Sequence, residues 1–130
     1  MPIYTTYLAY LRKFSYNPLN IFPDSLKSVL IYYVMLNRGN DEVAPYIETV
    51  QAVKKGKLDW NGYEAIYLRK IDAPNAREWM RKRAEESQQG HNVILVCFEK
   101  SPEHCHRRLL AETIARQFGA EYKGELSNYQ

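Results

Sequence analysis

The run Asn92-Val93-Ile94-Leu95-Val96-Cys97-Phe98, followed by Ser101-Pro102-Glu103-His104-Cys105-His106-Arg107-Arg108, decides the fold. Its first part is short, β-branched and apolar on both parities, the pattern of a strand covered on both faces. Ser101, Pro102 and Glu103 then read as a helix start, with Ser as N-cap, Pro at the first helical position and an acid in the first turn. That helix is expected to run to Phe118 and stop at Gly119. A buried strand feeding a helix is the βα unit of an α/β fold. The expected architecture is a three-layer Rossmann-like or flavodoxin-like domain with a mostly parallel central sheet.

Working outward, Ile3 to Leu8 is rich in β-branched and aromatic residues and reads as a first strand. Ser15 to Asp24 contains Asn17-Pro18 and Phe22-Pro23 and reads as loop. Val29 to Leu36 is apolar on both parities, which suits a central strand, with a buried helix turn as the competing reading. The middle is helical. Pro45 opens a segment in which Ile47, Val50 and Val53 share a face and Gly56 is the C-terminal cap. Asp59 caps a second helix through Tyr63, Ile66 and Tyr67. Asp72 is expected to cap a third, with Pro74 early in it and Gly90 as its stop. Ala120-Glu121-Tyr122 reads as a last edge strand.

The 130 residues make one domain, 1–130, with no room for a second core. A hydrophobic share of 45% and a charged share of 25% exclude disorder as the dominant state. No apolar stretch reaches the roughly 18 residues of a membrane span, so no membrane partner is expected. Met1-Pro2-Ile3-Tyr4 lacks the layout of a signal peptide. With two cysteines a disulfide scaffold is not expected, and a reducing, cytoplasmic location is. The formal charge of +3 permits anionic ligands without demanding nucleic acid. The sequence sets no oligomeric state.

Chemistry-bearing side chains crowd the end of the strand and the start of the helix: Cys97, Glu99, His104, Cys105, His106, Arg107 and Arg108, of which Arg108 points away. In open α/β sheets ligands bind outside the carboxyl ends of the strands, and a helix start adds unpaired N–H groups and partial positive charge. At about 100° per residue, Leu110, Ile114 and Phe118 mark the inward face, and His106 and Arg107 flank it. Arg107 is therefore expected to hold an anion and His106 to act as general acid or base. Cys105 is the candidate nucleophile, and Glu99 is expected to orient His106 or neutralise Arg107. Tyr4 and Thr5 line the same crevice if the first strand runs parallel beside this one. Cys97 is either a small buried hydrophobe or part of the ligand-binding wall. The Cys-x7-Cys-His spacing is not that of a zinc site and no second Cys/His pair exists, so neither metal nor cofactor is expected. Dinucleotide and ATP chemistry are disfavoured, because no Gly-rich phosphate loop is present. A phosphatase loop is excluded because position 111 is Ala rather than Arg.

The run Val96 to Ala111, with Cys97-x-Glu99-Lys100 and Cys105-His106-Arg107, resembles the signature of the domain-of-unknown-function family 488. Ile3 to Tyr7 is similar to that family's opening Tyr-Thr strand. Lys54 to Lys57 with Leu58 to Glu64 is similar to its Lys-Gly and Trp-x-x-Tyr-Glu segment. Phe14 to Pro45 is the poorest match. The resemblance implies a small Rossmann-like or flavodoxin-like domain. It places signature residues on Cys97, Glu99, Cys105, His106 and Arg107, with Tyr4 and Thr5 beside them, and it supplies no activity.

Three functions follow. The first is binding or turnover of a small anionic ligand, nucleotide-like or phosphorylated, at the Cys-His-Arg turn. The second is nucleic-acid association through the basic helix 77–83, with tyrosine faces for stacking. The third is a structural or protein-interaction domain whose signature only locks the βα turn.

Overall fold

In the computed structural model, residues 2–13, 28–99 and 104–129 are described. Strand β3 (Asn92–Cys97) is buried at every position. A strand with both faces dry must lie inside a covered sheet, and β3 runs between β1 (Ile3–Tyr7) and β2 (Val29–Tyr33). The fourth strand, β4 (Tyr122–Glu125), pairs with the other side of β1. The order is β2-β3-β1-β4 and every pairing is parallel. Register brings Tyr7 opposite Cys97 and Tyr33 opposite Val96, so the carboxyl ends of β1, β2 and β3 finish together. This is the expected fold class, an all-parallel α/β sheet flanked by helices.

The chain leaves β1 to form β2 on one side, and leaves β3 to form β4 on the other. Because every strand runs the same way, their carboxyl ends lie along one edge of the sheet, where ligands of open α/β sheets bind.

The helices are α1 (Leu8–Lys13), α2 (Ile47–Lys54), α3 (Trp60–Ile71), α4 (Pro74–Gln88) and α5 (His106–Phe118). Asp59 caps α3 as its sequence position demands, accepting from the Gly62 N–H at 2.8 Å. Helix α5 ends at Gly119 in a left-handed conformation, φ 75°, which a side chain would strain. Helices α4 and α5 pack on each other, α4 against β3, and α5 against β1, β3 and β4. Leu110 and Ile114 of α5 meet Ile3 and Val93 to Val96 in the core.

Several expectations need correction. Among the described residues strand β2 lies at the edge of the sheet, not at its centre, and Ile31 is exposed. The apolar run is longer than the strand because Val34 and Met35, beyond its end, are buried in the core. Asp72 does not cap α4. It closes α3, and its carboxylate meets Arg77 at 3.0 Å, while Ala73 is the N-cap before Pro74. Helix α5 opens at His106, because Cys105 is extended at φ −136°, ψ 140°. Ile47 is half exposed, and Val50 and Val53 of the same helix are partly buried. The readings of Ser15–Asp24 as loop and of Ser101–Glu103 as a helix start fall largely or wholly outside the described residues.

The charged face of α4 is internally answered. Arg81 bridges Glu78 and Glu85 at 2.6 and 2.7 Å, and Arg83 meets Glu86 at 2.8 Å. The Arg83 guanidinium also lies over the Tyr32 ring, 4.2 Å from its centroid.

Two acids at helix junctions separate under mutation. Asp59→Ala, which removes a cap, is expected to cost about 1 kcal/mol. Asp72→Ala, which removes an exposed ion pair, is expected to cost less than about 0.5 kcal/mol. Urea denaturation midpoints measure both, and equal losses would contradict the cap assignment.

Candidate functional site at the strand tips

Arg107 sits in the first turn of α5 and is completely buried. A buried guanidinium must have its charge and donors answered within the protein. Its Nε and Nη2 donate to the two carboxylate oxygens of Glu125 at 3.1 and 2.7 Å, a forked pairing. Its Nη1 donates to Cys97 Sγ at 3.1 Å and to the Glu99 carbonyl. Thr5 donates to the same Glu125 carboxylate and shares a hydrogen bond with the Tyr122 hydroxyl at 2.6 Å. One side chain thus ties the end of β3, the start of α5, β1 and the end of β4 into one block.

This arrangement corrects the expected partner of Arg107. The carboxylate is that of Glu125, while Glu99 offers Arg107 its backbone carbonyl and its side chain is exposed. Nor does Arg107 reach the cavity at the strand tips. Tyr4 and Thr5 are buried and lie off the cavity wall as well.

His106, one residue earlier, is nearly buried. Its Nε2 lies 2.7 Å from the Val34 carbonyl oxygen, at the end of β2. A carbonyl only accepts, so Nε2 carries the proton. Burial, reinforced by the Arg107 and Lys70 charges, pushes the imidazole pKa down to about 4, against the smaller opposing effect of the Val34 hydrogen bond. The ring is therefore neutral near pH 7, with Nδ1 bare. Nδ1 points at Cys105 Sγ, 3.9 Å away. Cys105 is joined to Cys97 by a disulfide, with Cα atoms 7.8 Å apart. Sulfur, sulfur and imidazole nitrogen converge within 4.8 Å of one another, all three residues buried. Cys97 and Cys105 are each legible as site residues, but their pairing was not foreseen.

These three residues form part of the lining of a cavity of about 430 Å³. Its walls come from Leu36 after β2, Pro45, Ile47 and Lys54 around α2, and Tyr63 on α3. Glu99 and His104 also line it. An aromatic column backs the site. His104 stacks on Trp60 at 5.0 Å, Trp60 on Tyr63 at 4.8 Å, and Tyr67 meets the His106 ring edge-on at 5.4 Å. Burial, with the Glu99 charge adding to it, holds the Tyr63 hydroxyl well above the ordinary tyrosine range. Tyr67 donates to the Val43 carbonyl at 2.6 Å, which holds the column in place. A second groove of about 420 Å³, bordered by Arg69, Asp72 and Arg116, contains neither thiol nor imidazole.

Sequence reasoning missed Lys54, the aromatic column and Glu125 as parts of this region. The column had a signal, since Trp60, Tyr63 and Tyr67 repeat at helical spacing. Glu125 had none, being 18 residues from Arg107 on another element.

Residues 16–114 match the family model described as "Domain of unknown function DUF488". No curated protein and no solved structure matches the chain.

Breaking the buried pair tests its structural weight. Arg107→Ala and Glu125→Gln are each expected to cost about 3–5 kcal/mol in urea denaturation. Arg107→Lys is expected to recover only part, because an ammonium cannot fork onto the carboxylate and reach Cys97 together. A loss under 1 kcal/mol in both single variants would contradict the lock.

Proposed function

The chain belongs to the DUF488 family, and from that premise we propose that it binds a small anionic ligand in the strand-tip cavity and acts on it through the sulfurs and imidazole of the cavity floor. The observation that carries this reading is the convergence of Cys97, Cys105 and His106 on a cavity of ligand size at the carboxyl ends of parallel strands.

The roles divide by access. Lys54 on the wall supplies a charge for a phosphate or carboxylate. The first turn of α5 adds its N–H groups, since the N-cap Cys105 makes no side-chain capping bond to them. Tyr63 and the apolar wall take the body of the ligand. Cys105 in its reduced form is the nucleophile, with the bare Nδ1 of His106 accepting from its thiol. So weak a base does not hold the proton. His106 orients the thiol, whose proton leaves to solvent through the cavity. Arg107 does not hold the ligand directly. It donates to Cys97 and fixes the turn, so the structural reading of the signature accounts for Arg107 while the functional reading accounts for its neighbours.

Calorimetry on the reduced protein with inorganic phosphate, a nucleoside monophosphate and a sugar phosphate tests this. At least one is expected to bind. Lys54→Ala is expected to weaken it about tenfold, one charge-assisted hydrogen bond's worth. Ile47→Trp, which plugs the mouth, is expected to abolish it, and Arg81→Ala to leave it unchanged. Binding indifferent to Lys54 and Ile47 would overturn the proposal. Oligonucleotide binding that follows Arg81 and Arg83 would favour the nucleic-acid alternative instead.

A further inference from the structure

We infer that Cys97, Cys105 and His106 form a binding site for one thiophilic divalent cation of the zinc type, with its fourth coordination position open to the strand-tip cavity.

The ligand set is the first support. Two thiolates and an imidazole suit zinc, and three protein ligands plus an open position is the pattern of a site that engages an exogenous molecule. Distances are the second. Bond lengths of about 2.3 Å to sulfur and about 2.05 Å to nitrogen in a tetrahedron place sulfur about 3.6 Å from nitrogen and about 3.8 Å from sulfur. Cys105 Sγ and His106 Nδ1 already stand 3.9 Å apart. The two cysteine Cα atoms are 7.8 Å apart. An ordinary disulfide spans about 4.4–6.8 Å between Cα atoms, and parting the sulfurs to accept an ion adds up to about 1.7 Å. The backbone spacing fits two thiolates around an ion better than it fits a direct bridge.

The surroundings are the third support. A zinc-bound histidine donates its other ring N–H to a carbonyl or carboxylate, which sets the tautomer and aims the lone pair. His106 Nε2 donates to the Val34 carbonyl in this way and leaves Nδ1 toward the sulfurs. Arg107 donates to Cys97 Sγ, which orients that sulfur, while its own charge is answered by Glu125. Both outer contacts exist without any ion. The open side is the cavity, because the residues of the cluster are part of its lining. Binding would form two S–metal bonds and one N–metal bond, and the two thiol protons would leave to solvent. The two thiols come from the Cys97–Cys105 disulfide by exchange with a thiol reductant, which supplies two electrons and two protons and leaves as its own disulfide. The cation site stands on its own geometry. With the cation bound, Cys105 and His106 are ligands in place of nucleophile and acceptor, and only the occupant of the fourth position, the ligand's anionic oxygen, rests on the proposed function.

The test uses the full chain, reduced and stripped with chelator under anaerobic conditions, with Co²⁺ and then Zn²⁺ as the probes. One equivalent of Co²⁺ is expected to give intense tetrahedral bands and thiolate charge transfer, displaced by Zn²⁺. Zn²⁺ is expected to protect both cysteines of the unaltered chain from alkylation, and a chelator to restore it. Cys105→Ser and His106→Ala are expected to weaken binding by more than the roughly ten- to hundredfold that an outer-contact change costs. If these variants do not fold, the alkylation protection still decides. Alkylation rates indifferent to Zn²⁺, weak octahedral cobalt spectra, or a Cys97–Cys105 bond that persists under reductant would each overturn the inference. No organic anion is present, so such a failure leaves the cavity reading intact. Metal uptake without Lys54-dependent anion binding would sink that reading alone.

Discussion

A guanidinium sealed from water has to find its counter-charge inside the protein, and the position of everything at the strand tips follows from where Arg107 finds it. Glu125, at the end of the outermost strand, takes two of its donors, while Cys97 and the Glu99 carbonyl accept from a third. Desolvating such a pair costs several kcal/mol, so it is weak evidence of net stability. Its effect is geometric. Removing either partner strands a charge in the core, so only arrangements that keep both together survive. The end of β3, the start of α5 and the end of β4 are held together as a result.

The second constraint is a hydrogen bond that chooses a tautomer. Val34 directly follows β2, the neighbour of β3, and its carbonyl oxygen leaves His106 no choice about which nitrogen carries the proton. A neutral ring with its free lone pair aimed at two sulfurs is a different chemical object from an exposed, titrating histidine. It is a poor reservoir for protons and a good ligand or acceptor. The parallel sheet makes this inexpensive, because two adjacent strand ends and one helix start already meet at the same place.

Much of the fold was legible from local pattern. The burial of β3, the cap at Asp59 and the stop at Gly119 are all written within a few residues of where they act. What failed was non-local. The apolar run from Val29 does not say which neighbours a strand has, and among the described residues it has one, β3. Asp72 and Ala73 compete for one helix start, and the Pro74 ring fixes the frame in favour of Ala73. At the site, helical phase correctly turned His106 and Arg107 inward, but phase alone does not separate a cavity wall from a sealed interior. Glu99 was the nearest acid in sequence, and Glu125 is the nearest in space. Linear spacing likewise hides the sulfur–sulfur–imidazole cluster, since Cys97 and Cys105 approach across a strand–helix turn rather than along one loop.

The account depends most directly on the state of one imidazole. Long-range ¹H–¹⁵N correlation spectra of the reduced protein near pH 7 report it. The account predicts a single, fixed tautomer for His106, protonated at Nε2 and bare at Nδ1, with the ring close to the Tyr67 aromatic protons. A His106 that averages between tautomers, or that carries its proton on Nδ1, would mean that the ring does not face the two sulfurs, and the site as described would not exist.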